Sequence, residues 1–288
     1  MTAALTLAIS SSLCFGLALI TSRIGLRSLD ARAGAAISVP TATVLLVLSA
    51  PFTFDIDGYT LRAALWFAGV GLFFPALVTL ITFRSNAVLG PTVTGSVSGT
   101  APLFAMLAAA LFLGERVPAQ AAVAAVGIGA GVALISWKQG ELRAGLSGWA
   151  LLWPVSGAVI RGFAQAAAKA GLLLWPNPFA ASLIAYTVST ATVIGINQMD
   201  RSTKQQPTLR GFAWFALTGV LNGGAVLLMY AALNIAPVAL VSPIIAAFPL
   251  VTVLVSAAVL REEPLTRRML AGVVITVLAI VYLVSAVR

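Results

Sequence analysis

The stretch LFLGERVPAQ, residues 111–120, ends a long apolar run with two adjacent charges, and AVLREEPLTR, residues 258–267, ends another in the same way. Leu113 and Glu115 of the first stretch reappear as Leu260 and Glu262, both 147 positions later, and a proline follows in each case. The same end signal, written twice at one offset, predicts that the chain contains two copies of one structural unit.

The composition indicates that most of the chain lies in lipid. It is 60% hydrophobic and 9% charged, with a mean hydropathy of +1.04, whereas a soluble domain carries roughly 25% charged residues. The charges fall in short clusters between long uncharged stretches and do not recur on amphipathic faces. The sequence therefore predicts a polytopic protein of the lipid bilayer. Its net charge of +9 is assigned to lipid headgroups at helix ends and not to nucleic acid.

Ten stretches are long enough to cross the membrane, because a helix needs roughly 20 residues to span the hydrocarbon. The uncharged run Gly211–Leu260 is about twice that length, and we divide it at Pro237, since proline favours the first turn of a new helix. The predicted spans are residues 1–22, 33–54, 63–83, 85–114, 117–137, 144–168, 170–199, 211–234, 236–260 and 269–287.

Further matches between the two halves occur in the same order along the chain. LRAALWFAGVG (61–71) matches LRGFAWFALTG (209–219) at an offset of 148, and SRIGL (22–26) resembles AKAGL (168–172) at an offset of 146. One such match could arise by chance among so many alanines, leucines and glycines, but an ordered series indicates a duplication.

An odd number of spans in each copy determines how the copies are related. Each copy holds five spans, so the second copy enters the membrane from the opposite side. The predicted fold is an all-α membrane protein of ten transmembrane helices, arranged as two inverted five-helix repeats around a central cavity. The repeats comprise residues 1–143 and 144–288. Inverted repeats are typical of secondary transporters, although a duplication kept only for packing would leave the same pattern.

Ten spans arranged as five plus five, with LGERVP after the fourth and LREEPL after the ninth, resemble the drug/metabolite transporter superfamily in its EamA-like form. The resemblance covers essentially the whole chain, and the REE of the second motif departs from the family's Gly-Glu pattern. The sequence is most similar to the bacterial branch that exports aromatic amino acids. The resemblance implies a basket of helices in the cytoplasmic (inner) membrane, with spans 1, 3, 4, 6, 8 and 9 lining the cavity and spans 5 and 10 supporting it.

Several enzyme classes are excluded by what the sequence lacks. There is no histidine to act as a general base, and all eight acidic residues fall in the predicted connections, which leaves no intramembrane aspartyl pair. A phosphate-binding G-x-x-x-x-G-K-[ST] loop is also absent, so ATP does not drive this chain directly. We expect a transporter that acts as a monomer without cofactor or metal. An enzyme working with serine, lysine or tyrosine alone is the rival class.

The sixth span carries a polar stripe at four-residue spacing. Trp153, Gly157, Arg161, Gln165 and Lys169 recur along one slowly drifting face of the predicted helix. Arg161 lies near the middle of the span, where an arginine costs roughly 2.5–3.5 kcal/mol on the insertion scale and usually faces a cavity or a partner. It could bind a substrate carboxylate with two parallel hydrogen bonds, or it could bind helix-end carbonyls. We interpret Lys169 as an interfacial anchor.

The first and eighth spans add polar and aromatic groups to the predicted cavity. Asn222 and Tyr230 share a face of span 8, and Phe74 stands at the matching place in the first half. Ser11, Ser12 and Phe15 come from span 1, where Phe15 corresponds to Arg161 by the repeat offset. The predicted substrate-binding residues are Ser11, Ser12, Phe15, Phe74, Trp153, Arg161, Gln165, Asn222 and Tyr230.

These features predict a secondary transporter that exports small amphipathic metabolites, foremost aromatic or large apolar amino acids, by alternating access. An organic-phosphate or nucleotide-sugar exchanger would need several deep cations, and a lipid-carrier flippase would need a lateral opening of headgroup size. No span contains an acidic residue, which predicts facilitated diffusion without proton coupling; sodium coupling stays open.

Both termini are predicted on one side of the membrane. Counting Lys and Arg places that side outside, whereas the resemblance places it in the cytoplasm.

Overall fold

The computed structural model describes residues 2–136, 148–199, 208–256, 258 and 267–286, and within these ranges every regular element is helical. A short 3-10 turn, Gly148–Leu151, precedes α7. The α-helices are α1 (Thr2–Gly25), α2 (Ala31–Thr53), α3 (Leu61–Phe73), α4 (Ala76–Ser98), α5 (Ala101–Leu113), α6 (Ala119–Ser136), α7 (Leu152–Leu174), α8 (Pro178–Met199), α9 (Leu209–Ile235), α10 (Val238–Ile245), α11 (Phe248–Val255) and α12 (Arg267–Ala286).

The helices confirm the predicted membrane fold. Six described stretches are long and apolar enough to cross a bilayer, and three shorter apolar helices accompany them. α7, which carries Arg161, Gln165 and Lys169, is in neither group. Spans 1, 2, 5, 6, 7, 8 and 10 correspond to α1, α2, α6, α7, α8, α9 and α12. Spans 3, 4 and 9 are each divided: span 3 comprises α3 and the first part of α4, span 4 the rest of α4 and α5, and span 9 α10 and α11.

The predicted boundary between spans 3 and 4 is wrong by about two turns. The sequence analysis placed it at Arg84, but α4 continues through this residue and breaks at Gly90, whose φ of 80° lies in the left-handed region. A single charge does not end a helix, whereas Pro91 lacks the amide donor that the next helical hydrogen bond needs. Arg84 therefore lies on the helix, and its guanidinium stacks over the ring of Trp153 at 4.9 Å.

The predicted boundary between spans 6 and 7 is also wrong. It was placed at Lys169, but α7 continues to Leu174 and α8 begins at Pro178. The side chain of Asn177 caps α8 by accepting a hydrogen bond from the amide of Ala180 at 2.9 Å. Lys169 does not end the helix because its ammonium group finds partners inside the bundle, as described below.

Spans 4 and 9 break at matching places. Span 4 breaks between Ser98 and Ala101, and span 9 breaks between Ile245 and Phe248. In each case a proline stands within the first two residues of the new helix, Pro102 in α5 and Pro249 in α11. Since proline cannot donate the ladder hydrogen bond, it disrupts the preceding helix but suits the first turn of the next. Both breaks therefore follow from the same residue at equivalent positions.

Span 3 has a break that its counterpart lacks. α3 ends at Phe73 and α4 begins at Ala76, whereas α9, the equivalent of span 3 in the second half, is continuous over Leu209–Ile235. Ser189 of α8 bridges the break: its hydroxyl oxygen accepts from the amide of Ala76 at 3.2 Å and donates to the carbonyl of Gly71 at 2.6 Å. This side chain satisfies backbone groups that the interruption would otherwise leave unpaired in the membrane.

Contacts between the two halves occur in mirrored pairs. α1 packs on α9, which pairs span 1 with span 8, and α7 packs on α3 and α4, which pairs span 6 with span 3. In the same way α2 packs on α9 and α8 packs on α3, while α5 packs on α7 and α1 packs on α11. α6 packs on α12, so spans 5 and 10 contact each other.

Candidate functional site

Arg161 lies at the centre of the molecule, on the middle turns of α7, and only 8% of its surface is exposed. Its guanidinium carbon lies 5.2 Å from the ring centroid of Phe15, 5.6 Å from Phe248 and 5.9 Å from Phe74. Each cation–π contact contributes about 0.5–2 kcal/mol. The three rings therefore offset part of the cost of holding a charge at this depth.

Arg161 has no conventional partner among the described residues. It forms no hydrogen bond or ion pair with them, and its Nε is buried without an acceptor. A guanidinium has five N–H donors in a rigid planar fork, and buried polar groups in proteins are normally paired. Its Nε thus has no acceptor among the described residues. Binding of a substrate carboxylate, the first of the two roles that its position in the sequence suggested, stays a prediction.

Two small cavities adjoin Arg161, each about 30 Å³ in volume. Both are lined by Phe15, Thr82, Phe83, Arg161 and Asn222. One continues to Ser22, Ser98 and Phe248, and the other to Phe74, Thr79 and Tyr186. A cavity of this size holds about two or three water molecules, whereas a ligand pocket holds roughly 300–1,000 Å³. The site is therefore contracted in this conformation.

The cavities lie where the two repeats meet at equivalent positions. Phe15 and Arg161, which correspond at an offset of 146, contact each other directly. Phe74 and Asn222, which correspond at an offset of 148, line the same cavity. Residues related by an inverted repeat approach each other only near its two-fold axis, so the contracted site lies on that axis.

Further buried polar atoms near this centre lack partners. Among the described residues they include Gln165 Oε1, Tyr186 Oη and Tyr230 Oη, in addition to Arg161 Nε. Tyr186, on α8, lines a cavity beside Arg161. Because unpaired buried polar groups are rare, a group of them beside one charge marks a place for polar ligand atoms or water.

The structure brings four of the nine predicted site residues together. Phe15, Phe74, Arg161 and Asn222 line the cavities, while Gln165 and Tyr230 are buried on the same two helices as Arg161 and Asn222 without lining them. The four residues converge from α1, the α3–α4 break, α7 and α9.

The two predicted serines occupy the interface between α1 and α9. The hydroxyl of Ser11 donates to the carbonyl of Ala225 at 2.7 Å, and this bond joins the two repeats. Ser12 is buried next to it, and neither serine lines the two cavities. The hydroxyl of Ser11 is therefore used in packing.

Trp153 lies outside the centre, 41% exposed and stacked against Arg84. It lines neither cavity. With 3.6 residues per turn, two four-residue steps rotate a side chain by about 80° around the helix. Relative to Arg161, Trp153 is therefore rotated by about 80° in one direction around α7 and Lys169 by about 80° in the other. Trp153 consequently does not share the face that Arg161 occupies.

Lys169, predicted as an interfacial anchor, is buried and holds the end of α9. Its Nζ donates to the carbonyl of Leu233 at 2.6 Å and to that of Ala236 at 3.1 Å. These carbonyls belong to the last turn of span 8, where the helix ladder leaves acceptors without partners. The cation also complements the negative end of the helix dipole. The anchor interpretation is therefore wrong.

Glu115, the acid of the LGERVP motif, binds the other side of the turn between spans 8 and 9. Its Oε2 accepts a hydrogen bond from the amide of Val238 at 3.0 Å, and so caps the first turn of α10. A negative charge at the amino end of a helix and a positive charge at the carboxyl end both complement the dipole. Lys169 and Glu115 together fix the turn between spans 8 and 9. The matching Glu262 and the LREEPL motif lie outside the described residues.

Arg23 plays the part of Lys169 in the first repeat. Its Nη1 donates to the carbonyl of Asn86 at 3.0 Å and to that of Ala87 at 3.4 Å, just before the break at Gly90. Arg23 and Lys169 correspond at an offset of 146. Equivalent cations, one from the first span of each repeat, thus bind the turn between spans 3 and 4 and the turn between spans 8 and 9. We refer to these two turns as the corners.

The sequence analysis missed Thr79, Thr82 and Asn86 on α4. Asn86 is buried, and its Nδ2 donates to the carbonyl of Leu19 at 3.0 Å and to Ser22 Oγ at 2.8 Å. The three residues follow the i, i+3, i+7 spacing of one helical face. That signal was available, but the misplaced boundary at Arg84 divided it between spans 3 and 4.

A larger groove runs along the outside of α3, α5 and α7. Its volume is about 720 Å³, and its lining is apolar, with Trp66, Phe73, Phe112 and Phe163 as the large side chains. Phe112 and Phe73 are exposed at the surface that faces lipid. The lining contains no charged side chain, so this groove suits hydrocarbon and not a polar headgroup.

A bundle of apolar helices in two related halves, with a polar site on the axis between them, defines a membrane transporter of small molecules. The chain belongs to the EamA-like transporter family, whose pattern it matches twice, at residues 2–137 and 148–285. Among 28 matching chains of solved structures is one titled only "Crystal structure of protein". It has a TM-score of 0.77 at 16% identity and covers 98% of this chain and 96% of its own, which shows the fold. A search of curated proteins finds no significant match.

Proposed function

We propose that this protein is a secondary transporter that exports small amphipathic metabolites bearing a carboxylate, with aromatic and large apolar amino acids as candidate substrates. It works by alternating access in the bacterial cytoplasmic membrane, with both termini on one side. The observation that carries the proposal is Arg161, a buried cation on the pseudo-two-fold axis with aromatic rings around it and no acidic partner among the described residues.

The lining suits both ends of such a molecule. Arg161 supplies a planar pair of donors that matches the two oxygens of a carboxylate. Phe15, Phe74 and Phe248 supply the apolar surface against which a side chain packs, and Asn222 adds a neutral polar group. A small number of polar groups in a largely apolar lining is typical of sites for small organic molecules.

The mirrored corners support alternating access. The turn between spans 3 and 4 and the turn between spans 8 and 9 lie at opposite ends of the inverted repeats, and an equivalent cation holds each one. Helical breaks in spans 4 and 9 provide bending points at the level of the site. Opening one corner while the other stays closed would expose the axis to one side of the membrane at a time.

A phosphate or nucleotide-sugar exchanger fits the site less well. Such ligands carry two or more negative charges, and sites for them hold several cations. Lys169 and Arg23 are bound to backbone carbonyls at the corners, which leaves Arg161 as the one cation lining the two cavities. A lipid flippase would need polar groups along the lateral groove, whose lining is apolar.

Proteoliposomes containing the purified protein test this proposal directly. We expect radiolabelled phenylalanine or leucine, or the corresponding simple carboxylates, to enter them much faster than protein-free liposomes, and glucose 6-phosphate not to enter. Arg161→Ala should abolish the flux. Trp153→Leu, which removes an aromatic residue from the same helix but outside the cavities, is the matched control. Unchanged flux in well-folded Arg161→Ala protein, or preferred flux of the sugar phosphate, would contradict the proposal.

A further inference from the structure

We infer that the site prefers an organic monocarboxylate without an amino group over the amino acid with the same side chain, and that export of this anion moves net charge across the membrane. This inference rests on the proposed function, because it concerns the same site and the same cycle. It assigns a narrower substrate class and a driving force to that site.

The charges of the described residues around the cavities are unbalanced. Arg161 contributes a full positive charge, and no described acidic side chain lines either cavity. Asp30 caps α2 through the amide of Ala33, and Glu115 caps α10. Asp55 and Asp57 lie exposed in the connection before α3. The described acids thus lie at helix ends and in a loop, so none of them neutralises Arg161, and the carboxylate of a ligand can.

A monocarboxylate neutralises this charge completely. Its two oxygens can accept the guanidinium donors, and a hydrocarbon tail can lie against the phenylalanine rings. An amino acid brings an ammonium group next to its carboxylate, and therefore next to Arg161. Burying a charged group is costly unless it is paired, and a second cation close to the first also adds repulsion in a medium of low dielectric constant. The amino group consequently weakens binding.

Neutral side-chain oxygens at the cavities, such as those of Asn222 and Tyr186, could accept a hydrogen bond from an ammonium group but could not neutralise its charge. Several backbone carbonyls at the helix breaks are already used. At the end of α3 the carbonyl of Val70 accepts from the amide of Phe74 at 2.8 Å, and that of Gly71 accepts from Ser189 at 2.6 Å. At the end of span 8, Lys169 occupies the carbonyls of Leu233 and Ala236. These four carbonyls are thus already bonded to the protein's own donors.

The same imbalance determines how membrane potential acts on transport. Arg161 stays with the protein, so the charge that crosses with a bound monocarboxylate is the charge of the ligand. One elementary charge in a potential of 100 mV corresponds to about a fiftyfold concentration ratio at equilibrium. An inside-negative potential therefore drives this anion outward, whereas a zwitterionic amino acid gains nothing from it. Export of a monoanion needs no proton or sodium gradient.

Binding to the purified protein in detergent tests the substrate class without interference from passive permeation of the acids. Isothermal titration calorimetry would compare 3-phenylpropanoate with phenylalanine, and 4-methylpentanoate with leucine, pairs that differ only in the amino group. We expect each simple carboxylate to bind at least tenfold more tightly, and phenethylamine, which has the amine alone, not to bind. Equal or tighter binding of the amino acids would overturn the inference, and would point to an acceptor for the ammonium group at the helix breaks.

Substitution of Arg161 tests the source of the preference. Arg161→Gln should bind both members of each pair weakly and alike, whereas Arg161→Lys should keep the preference for the simple carboxylate at reduced affinity, since it keeps the charge but loses the planar fork. Persistence of the preference in Arg161→Gln would overturn the assignment. The lysine variant keeps the test valid if the glutamine variant does not fold.

Flux in proteoliposomes tests the driving force. With a potassium diffusion potential set by valinomycin, an inside-negative potential should accelerate protein-dependent efflux of 3-phenylpropanoate and leave phenylalanine flux unchanged, after subtraction of protein-free liposomes. If the potential did not change the rate of carboxylate efflux, a co-transported cation would have to neutralise the anion. That result would overturn the part of the inference that says transport moves net charge. If neither member of any pair binds or moves, the proposed function itself fails; if both move but the amino acid is preferred, only this inference fails.

Discussion

The two repeats place different chemistry at equivalent positions of the same backbone. Where the first repeat has Phe15, the second has Arg161, and where the first has Phe74, the second has Asn222. At these two positions the first copy contributes an aromatic ring and the second a polar group, although Thr79 and Thr82 of the first copy also line the cavity. The duplicated fold supplies a symmetric enclosure, and divergence of a few inward-facing side chains makes it a site with an apolar side and a charged side.

At the corners the repeats have kept the same chemistry. Arg23 and Lys169 correspond in sequence, and each donates to the last carbonyls before a turn. Positions that hold the backbone therefore match between the halves, whereas the compared positions that line the cavities differ. Comparing the halves in this way separates the structural cations from Arg161, the proposed binding cation, within one sequence.

Removal of the Arg161 charge, which the first repeat lacks at its equivalent position, should have the largest effect on the transport rate. We expect Arg161→Ala to lower the initial rate of carboxylate transport at least a hundredfold, because both donors of the fork are lost, while the protein still inserts and purifies. Arg161→Lys should also be impaired, since an ammonium cannot reproduce the two-donor geometry. Initial rates in proteoliposomes, with monodispersity in size-exclusion chromatography as the folding control, measure this. Near-normal rates in Arg161→Ala would remove this residue from the site.

Loss of the two corner cations, Lys169 and Arg23, should lower the free energy of unfolding by different amounts. Lys169→Met should lower the free energy of unfolding by about 1.5–3 kcal/mol, the usual contribution of hydrogen bonds from a charged donor, because its two bonds are buried. Arg23→Met should cost less, since Arg23 is half-exposed and its second bond is longer. Thermal unfolding of both variants in detergent makes the comparison. A larger loss in Arg23→Met would show that the two corners are not held in the same way.

Aromatic residues inside and outside the cavity should separate selectivity from packing. Phe74→Leu should change the ratio of transport rates for aromatic and aliphatic substrates by about tenfold, because apolar pockets discriminate at about 1–3 kcal/mol per methylene. Trp153→Leu, on the exposed part of α7, should leave this ratio unchanged. The measurement is competition between phenyl and isobutyl substrates. If Phe74→Leu slowed all substrates by one factor, Phe74 would be a gating or packing residue.

Loss of the acid at the second corner should have a smaller effect. Glu115→Ala removes one cap from α10, so we expect a loss of about 1 kcal/mol in stability, as for other helix caps. Glu115→Gln keeps an acceptor oxygen and should lose less than half of that amount. Unfolding in increasing denaturant, at constant detergent, measures both. Equal losses in the two variants would mean that charge, and not the hydrogen bond to Val238, accounts for the stabilisation.

An imposed pH gradient should have the smallest effect. No acidic residue lies in a predicted span, and no histidine occurs in the chain, so we expect a zwitterionic substrate to equilibrate down its own gradient without imposed protons or sodium. Proteoliposomes with a pH step measure this through the final internal concentration. Accumulation above equilibrium driven by the pH step alone would contradict facilitated diffusion. It would mean that a loop acid such as Glu115 or Glu262 reaches the pathway.

The sequence predicted the features that depend on local pattern. Hydropathy located the membrane helices, the recurring offset revealed the duplication, and the depth of Arg161 in its span marked it as unusual. It failed for Lys169, whose partner Leu233 lies 64 residues away. It also missed Tyr186, because nothing in α8 indicates which helix it faces. Both depend on packing between distant segments, which charge and spacing along the chain do not encode.

The small cavities beside Arg161 have a consequence for affinity. A molecule as large as phenylalanine cannot occupy them, so it must bind a more open member of the conformational ensemble. The apparent dissociation constant is then the intrinsic value divided by the fraction of molecules that are open. Every bond that holds a corner closed lowers that fraction and weakens apparent binding. A variant such as Lys169→Met should therefore bind its substrate more tightly than the unaltered protein, even where its transport cycle is slower.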